Sequence, residues 1–297
     1  MDYGHDLKFG VFITPANSPV MHAVELAVIA ENAGLDLATF QDHPYQPRFH
    51  DTWTLLSFVA ARTERIHLSA NVHNLPLRHP ALLARSAASL DLLSGGRLEL
   101  GLGAGGFWDA IVAMGGTRKT PGESIEALEE GIRIIRDVWD TGQPGGVHFE
   151  GKHYSLIGAK HGPSPAHDIG ISVGAYKPRI LRMTGRVADG WLPSLGYLQH
   201  GLAELADMNA RIDEGADAAG RDPRAIRRML NIGGQFAPTS SGLLQGPPAQ
   251  WVRDLTGIAL EYGISGFILA SDDAATIELY ASEVAPAVRE AVSKERG

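Results

Sequence analysis

Several short stretches of the chain carry residue types able to do chemistry. Asp42-His43-Pro44-Tyr45-Gln46-Pro47 sets a carboxylate beside an imidazole. Imidazole titrates near neutrality, so such a pair can move a proton. A histidine that only bonds a backbone group would look the same. Arg78-His79-Pro80 offers a further cation and imidazole, with plain anchoring of a loop to a helix as its alternative. Gly101-Leu-Gly103-Ala-Gly-Gly106 reads G-x-G-x-x-G, a run whose N–H groups can approach an anion closely. A dinucleotide fold would need a long helix on those glycines and an acid ending the next strand. Here Gly115-Gly116 cuts any helix short, and Glu123 and Glu126 open a helix instead. The other reading of the glycines is a tight turn. Finally, Val173-Gly174-Ala175-Tyr176-Lys177-Pro178-Arg179 ends a strand and starts a helix, where free N–H groups and the positive dipole end suit a phosphate. A solvated helix start is the alternative there.

Metal chemistry is not expected. Twelve histidines are spread along the chain, but no two form the H-x-H pair of barrel metallohydrolases. His148, His153, His161 and His167 are loosely spaced with no acidic pattern between them. Zero cysteines remove disulfides, iron–sulfur clusters, thiolate zinc sites and thiol nucleophiles together.

The elements that must position these stretches alternate strictly. Short apolar runs near 7–13, 36–41, 66–73, 97–103, 169–174, 190–193, 227–235 and 266–270 read as strands. Segments of helical period follow each at 20–33, 53–63, 80–93, 123–140, 178–188, 202–219, 248–262 and 274–292. Eight βα units predict a (β/α)8 TIM barrel, and one domain over residues 1–297 suffices. Pro80, Pro178 and Pro248 suit first helical turns, and the glycines of Leu93-Ser-Gly-Gly96 suit a left-handed helix stop. Residues 142–167 break the pattern as an insertion between the fourth and fifth units, with a hairpin around Glu150-Gly151-Lys152. A second irregular stretch covers 237–247; both are lid candidates. In a parallel barrel the chemistry sits at the C-terminal strand ends, which is where every stretch above falls.

Composition narrows the partners. With 26 basic and 34 acidic residues the net charge is −8, and no basic run exists for a phosphate backbone, so nucleic acid is not expected. No apolar run reaches the ~18 residues of a membrane span, and the polar start Met1-Asp2-Tyr3-Gly4-His5-Asp6 is unlike a signal peptide. A cytoplasmic protein is the expectation.

Taken together, the words Phe9-Gly-Val-Phe12, Gln41-Asp-His-Pro44, Arg78-His-Pro80, Ser89-Leu-Asp-Leu-Leu-Ser-Gly-Gly-Arg97, Gly101-Leu-Gly-Ala-Gly105, Gly185-Arg-Val-Ala-Asp-Gly-Trp191 and Gly246-Pro-Pro-Ala-Gln-Trp251 resemble the luciferase-like family of flavin- and deazaflavin-dependent oxidoreductases. The resemblance implies a cofactor across the barrel mouth, either the deazaflavin coenzyme F420 or FMN. It puts the cofactor phosphate at Ala104, Gly105 and Gly106 and at Gly174, Ala175, Tyr176, Pro178 and Arg179, with Asp42 also on the cofactor. It implies a non-proline cis peptide near Asn71-Val72, pressing on the ring. His43 matches the rim histidine that exchanges a proton, and Thr14, Phe107, Trp108 and Trp191 are expected on the substrate side. Gly-Ala-x-x-Pro-Arg followed by Thr184-Gly-Arg-Val-Ala-Asp-Gly190 looks closer to the F420 branch, which moves hydride to or from a small organic substrate. The alternative is a reduced-FMN monooxygenase that uses O2 and a partner flavin reductase. A non-catalytic barrel subunit and a metal-dependent barrel hydrolase stay open beside these, and a homodimer is expected by likeness.

Overall fold

The computed structural model describes residues 2–297, and their strands close into one parallel barrel. In chain order, β1 is Lys8–Ile13, β2 Leu37–Phe40, β3 His67–Ala70, β4 His73–Asn74 and β5 Leu100–Gly103. Beyond a hairpin, β6 Val147–Glu150 with β7 Ser155–Ala159, come β8 Ile171–Val173, β9 Gly190–Trp191 and β10 Arg227–Ile232. The last are the pair β11 Gln235–Phe236 and β12 Gln245–Gly246, then β13 Gly266–Ala270.

The barrel order is β3-β2-β1-β13-β10-β9-β8-β5-β4, all parallel. β3 and β4 are one barrel strand interrupted by a bulge at Asn71-Val72, whose peptide bond is cis, as the resemblance implied. Closure follows because both halves reach the same neighbour. Leu68 bridges Leu98, with Leu68 N donating to Arg97 O at 2.8 Å, while His73 and Asn74 pair with Leu102 and Gly103. The result is the eight-stranded (β/α)8 plan.

Outside the strands lie α1 His22–Asn32, α2 Thr52–Ala60, α3 Pro80–Ser94, α4 Trp108–Ala113, α5 Pro121–Trp139, α6 Pro178–Val187, α7 Glu204–Ala218, α8 Pro248–Tyr262, α9 Ala274–Leu279 and α10 Ala285–Arg296. Pro80, Pro178 and Pro248 each open a helix, and Gly95 ends α3 in the left-handed region at φ 73°. The last helix departs from the single run predicted over 274–292. A π-helical turn, Tyr280–Val284, joins α9 to α10. Pro286 lacks an N–H and crowds the preceding turn, so the ladder widens just before it. Tyr280 on that turn sits fully in the core against Phe9, with its hydroxyl donating to Phe267 O at 3.1 Å.

The β6–β7 hairpin forms in register at His148 with Ile157, Phe149 with Leu156 and Glu150 with Ser155. It lies along the outside of α3 and α5 rather than over the barrel mouth. Its turn is held by Glu130, which accepts from the N–H groups of Lys152 and His153 at 2.8 and 2.9 Å. Tyr154 meets the His79 ring edge-on. The 237–247 loop folds back onto α8, where Phe236 stacks on Trp251 at 4.3 Å. Neither lid candidate reaches the cavity described next.

Candidate active site

The C-terminal strand ends enclose a cavity of about 600 Å³, within the ~300–1,000 Å³ usual for small-molecule and cofactor sites. Its floor is the bulge. Val72 projects against β5 so closely that a Cβ on Gly103 would stand 2.7 Å from Val72 Cγ2, and one on Gly101 would stand 2.3 Å from Ala70 O. The first glycines of the G-x-G-x-x-G run are therefore needed for close packing of strand on bulge. Gly105 takes φ 94°, which turns the chain along the rim. Gly106 has open space where a side chain would be.

Across the floor, Asn71 Nδ2 donates to Asn231 Oδ1 at 2.6 Å and Asn231 Nδ2 returns a bond to Asn71 Oδ1 at 3.1 Å. Asn231 also donates to Ser194 Oγ at 3.1 Å, and Asn71 to Thr39 Oγ1 at 3.3 Å. An amide pair, Asn231 buried and Asn71 half-buried, thus spans the barrel with each polar group answered.

Asp42 and His43 leave the same strand end but do different things. Asp42 is buried, and its carboxylate is taken up by Arg78, His73 and Asn74 rather than by His43. Burial alone would raise its carboxyl, but hydrogen bonds from Arg78 and His73 and the Arg78 charge outweigh that and hold it well below the ordinary carboxylate range. Arg78 grips it twice, Nε to Oδ2 and Nη2 to Oδ1, both at 2.7 Å, and Asn74 N adds a bond at 2.9 Å. The same guanidinium reaches Asp51, the N-cap of α2, at 2.8 Å. Asp42 is therefore a fixed anion that pins the second strand end to the bulge, not a group free to take a proton.

His43 stacks on Tyr45 with ring centroids 5.3 Å apart and meets Phe107 edge-on at 5.2 Å. Burial lowers its imidazole below the ordinary value, and the nearby Asp42 charge only partly offsets this. A neutral imidazole on the cavity wall can accept or return a proton.

The far wall supplies an anion site. α6 starts at Pro178 after Lys177, and no side chain caps it, so its first N–H groups remain available at the mouth. α5, its neighbour, is closed by a capping box between Thr120 and Glu123. Lys177 lines the cavity beside Tyr176, whose hydroxyl accepts from Ser194 N at 2.8 Å.

Of the residues singled out from the sequence, Asp42, His43, Asn71, Val72, Ala104, Gly105, Gly106, Phe107, Trp108, Gly174, Ala175 and Tyr176 all border this cavity. Four do not. Thr14 lies in a smaller neighbouring pocket, its N–H donating to Asp272 Oδ1 at 2.8 Å. Trp191 is fully buried behind the wall, held there by its Nε1 donating to Ala175 O at 2.9 Å. Pro178 and Arg179 do not line the cavity, although Lys177 and Ile180 on either side do, and Arg179 is engaged by Glu126 at 2.8 Å. Its guanidinium packs over Gly122 of α5, where a Cβ would stand 2.7 Å from Nη1. Lys177 and Tyr45, from two of the stretches singled out, also border the cavity, whereas Asn231, Ser194 and Tyr197 were missed. A lone Asn inside the apolar run Met229-Leu-Asn-Ile232 was the one available signal, because a polar residue in a barrel strand needs a partner. Among the described residues, no group of three or more His, Asp or Glu could hold a metal ion, and no helix is long and apolar enough to cross a membrane.

Comparison with known proteins adds the following. The family model for luciferase-like monooxygenases matches residues 7–245. An F420-dependent glucose-6-phosphate dehydrogenase of Mycolicibacterium smegmatis is 32% identical over 236 residues, 76% of this chain and 68% of the relative. An F420-dependent secondary alcohol dehydrogenase, solved with an F420-acetone adduct, superposes with a TM-score of 0.83 over 96% of this chain and 99% of that one, at 19% identity. The FMN-bound oxygenating constituent of 3,6-diketocamphane monooxygenase from Pseudomonas putida superposes at 0.75 over 95% of this chain and 98% of that one, also at 19% identity. These last two share the fold.

Proposed function

The chain belongs to the luciferase-like monooxygenase family, and on that footing we propose that it is a coenzyme F420-dependent oxidoreductase acting on a small organic substrate at the barrel mouth. The observation that carries the reading is the joint position of a neutral His43 and the uncapped start of α6 on one cavity. The 32% identity to an F420-dependent dehydrogenase favours the deazaflavin over FMN.

The residues present fit such a cofactor. Gly103 and Gly174 keep the floor free of side chains around Val72, and Gly106 leaves open space beside the rim. The turns Ala104–Gly106 and Gly174–Tyr176, with Lys177 and the first N–H groups of α6, would hold its phosphate. Arg179 beside them is paired with Glu126 through Nη2. When bound, the deazaflavin supplies a ring carbon that accepts or gives a hydride.

This chain's own residues do the rest. His43 takes the proton of a substrate hydroxyl at an imidazole nitrogen, or returns it to a carbonyl oxygen. Asp42 and Arg78 hold the strand end that carries it. Tyr45, Phe107 and Trp108 keep water from the reacting groups. The same reading takes residues 1–297 as one cytoplasmic catalytic domain. Phe58, Leu82 and Leu93, exposed on and beside α2 and α3, support a homodimer.

The test is oxygen dependence. With F420 as acceptor, turnover in strict anaerobiosis should equal turnover in air. A requirement for O2 and reduced FMN with a reductase would select the monooxygenase reading instead.

A further inference from the structure

Charges on and around the cavity wall are nearly all taken. Arg78 is spent on Asp42 and Asp51, Arg179 on Glu126, and Arg118 on Asp109. His43 and the fully buried His73 are both lowered by burial, His73 despite a bond with Asp42, so neither adds positive charge at neutral pH. Among the described residues, Lys177 is the one lysine or arginine that lines the cavity, and it stands at the open start of α6. In the deazaflavin reading, on which this inference rests, that corner holds the cofactor's own phosphate. What remains for the substrate carries no cation: the aromatic and aliphatic side chains Tyr45, Phe107, Trp108, Leu192 and Tyr197, with His43 and uncharged polar groups such as Gln41 and Asn74 among them.

A phosphate dianion moved from water onto such a wall would lose its hydration with no cation to replace it. Sites that recognise phosphate supply Arg or Lys forks or a free helix start; the start of α6 is already assigned, and the other uncapped start on this wall, that of α4, belongs to a helix of six residues with a weak dipole. An uncharged hydroxyl or carbonyl needs only one polar partner, which His43 provides. We infer that the substrate of this chain is an uncharged, largely apolar alcohol or ketone, and that a sugar phosphate is not accepted.

The experiment uses the wild-type protein in three steps. F420 is titrated first, followed by its fluorescence. The F420-loaded protein is then titrated by calorimetry with cyclohexanol, cyclohexanone, phenylethanol and isopropanol, and separately with glucose-6-phosphate and inorganic phosphate. Turnover of each alcohol and of the sugar phosphate is measured last. The expected result is that at least one uncharged compound binds, with glucose-6-phosphate weaker by about 100-fold or more. Binding or turnover of glucose-6-phosphate within about tenfold of the best alcohol overturns the inference. Failure of every uncharged compound to bind overturns it equally. If F420 does not bind in the first step, the deazaflavin reading falls and takes the inference with it.

Discussion

Asn71 and Asn231 lie 160 residues apart in sequence and exchange amide hydrogen bonds of 2.6 and 3.1 Å at the floor of the cavity. One sits at the cis bulge within the third barrel strand, the other near the end of the seventh. The pair fixes the bulge that presents Val72 to the mouth and closes a polar network with Thr39 and Ser194.

Replacing Asn231 by Leu should leave the Asn71 amide without its buried partner. The expected loss is about 1–3 kcal/mol of stability, read as a lower urea midpoint, together with weaker cofactor binding. An unchanged midpoint would mean that water or another side chain takes over the amide.

Arg78→Ala should strand a buried carboxylate and lower stability by about 3 kcal/mol at pH 7. Its pH dependence has a definite sign. The Asp42 carboxyl is lowered in the folded chain, so the contribution is complete above the unfolded value of ~3.9 and fades as the pH falls toward the folded one. The gap between wild type and variant should therefore be full at neutral pH and shrink below about pH 4. Denaturation series at several pH values decide this, and a gap independent of pH would assign the loss to packing alone.

His43 should act as a neutral base with its imidazole lowered by burial. Activity should fall as the pH drops, with the midpoint below the ordinary ~6.5. His43→Asn should lower turnover by about 10²–10⁴-fold while cofactor affinity holds. A pH–rate profile of the wild type and a cofactor titration of the variant check the two halves, and an acid limb above 6.5 would speak against the assignment.

Gly103→Ala would set a methyl 2.7 Å from Val72 Cγ2. The bulge must shift or the strand must part, at a cost of about 1–3 kcal/mol. Thermal unfolding should show the loss, and cofactor affinity should drop with it because Val72 moves. By contrast Gly106→Ala meets open space and should be tolerated for stability.

Much of this was legible in the sequence, for reasons that differ by residue. The eight βα units were readable because each carries its own period and punctuation. Several of the recognisable words turn out to serve the scaffold. Arg97 bonds the carbonyls of Ala60, Thr63 and Ile66. Asp91 accepts from Leu98 N and Ala166 N. Gly185 lets α6 cross α7 where a Cβ would stand 2.0 Å from Ile212 O. Recognition therefore located the barrel more surely than the chemistry. Trp191 was misplaced because the face of a two-residue strand cannot be told from its letters. The pairing of Arg179 was not legible because its partner, Glu126, comes from another helix 53 residues away. Asp42 looked like half of an acid–base pair until Arg78, 36 residues on, was seen to hold it.

The most direct measurement is equilibrium titration of the purified protein with coenzyme F420 and with FMN, each oxidised and reduced, followed by fluorescence. The account predicts preferential binding of F420, tighter than either form of FMN by about tenfold or more. Preferential binding of reduced FMN would contradict it and make this chain an oxygen-using monooxygenase, and binding of neither would leave a barrel without a cofactor.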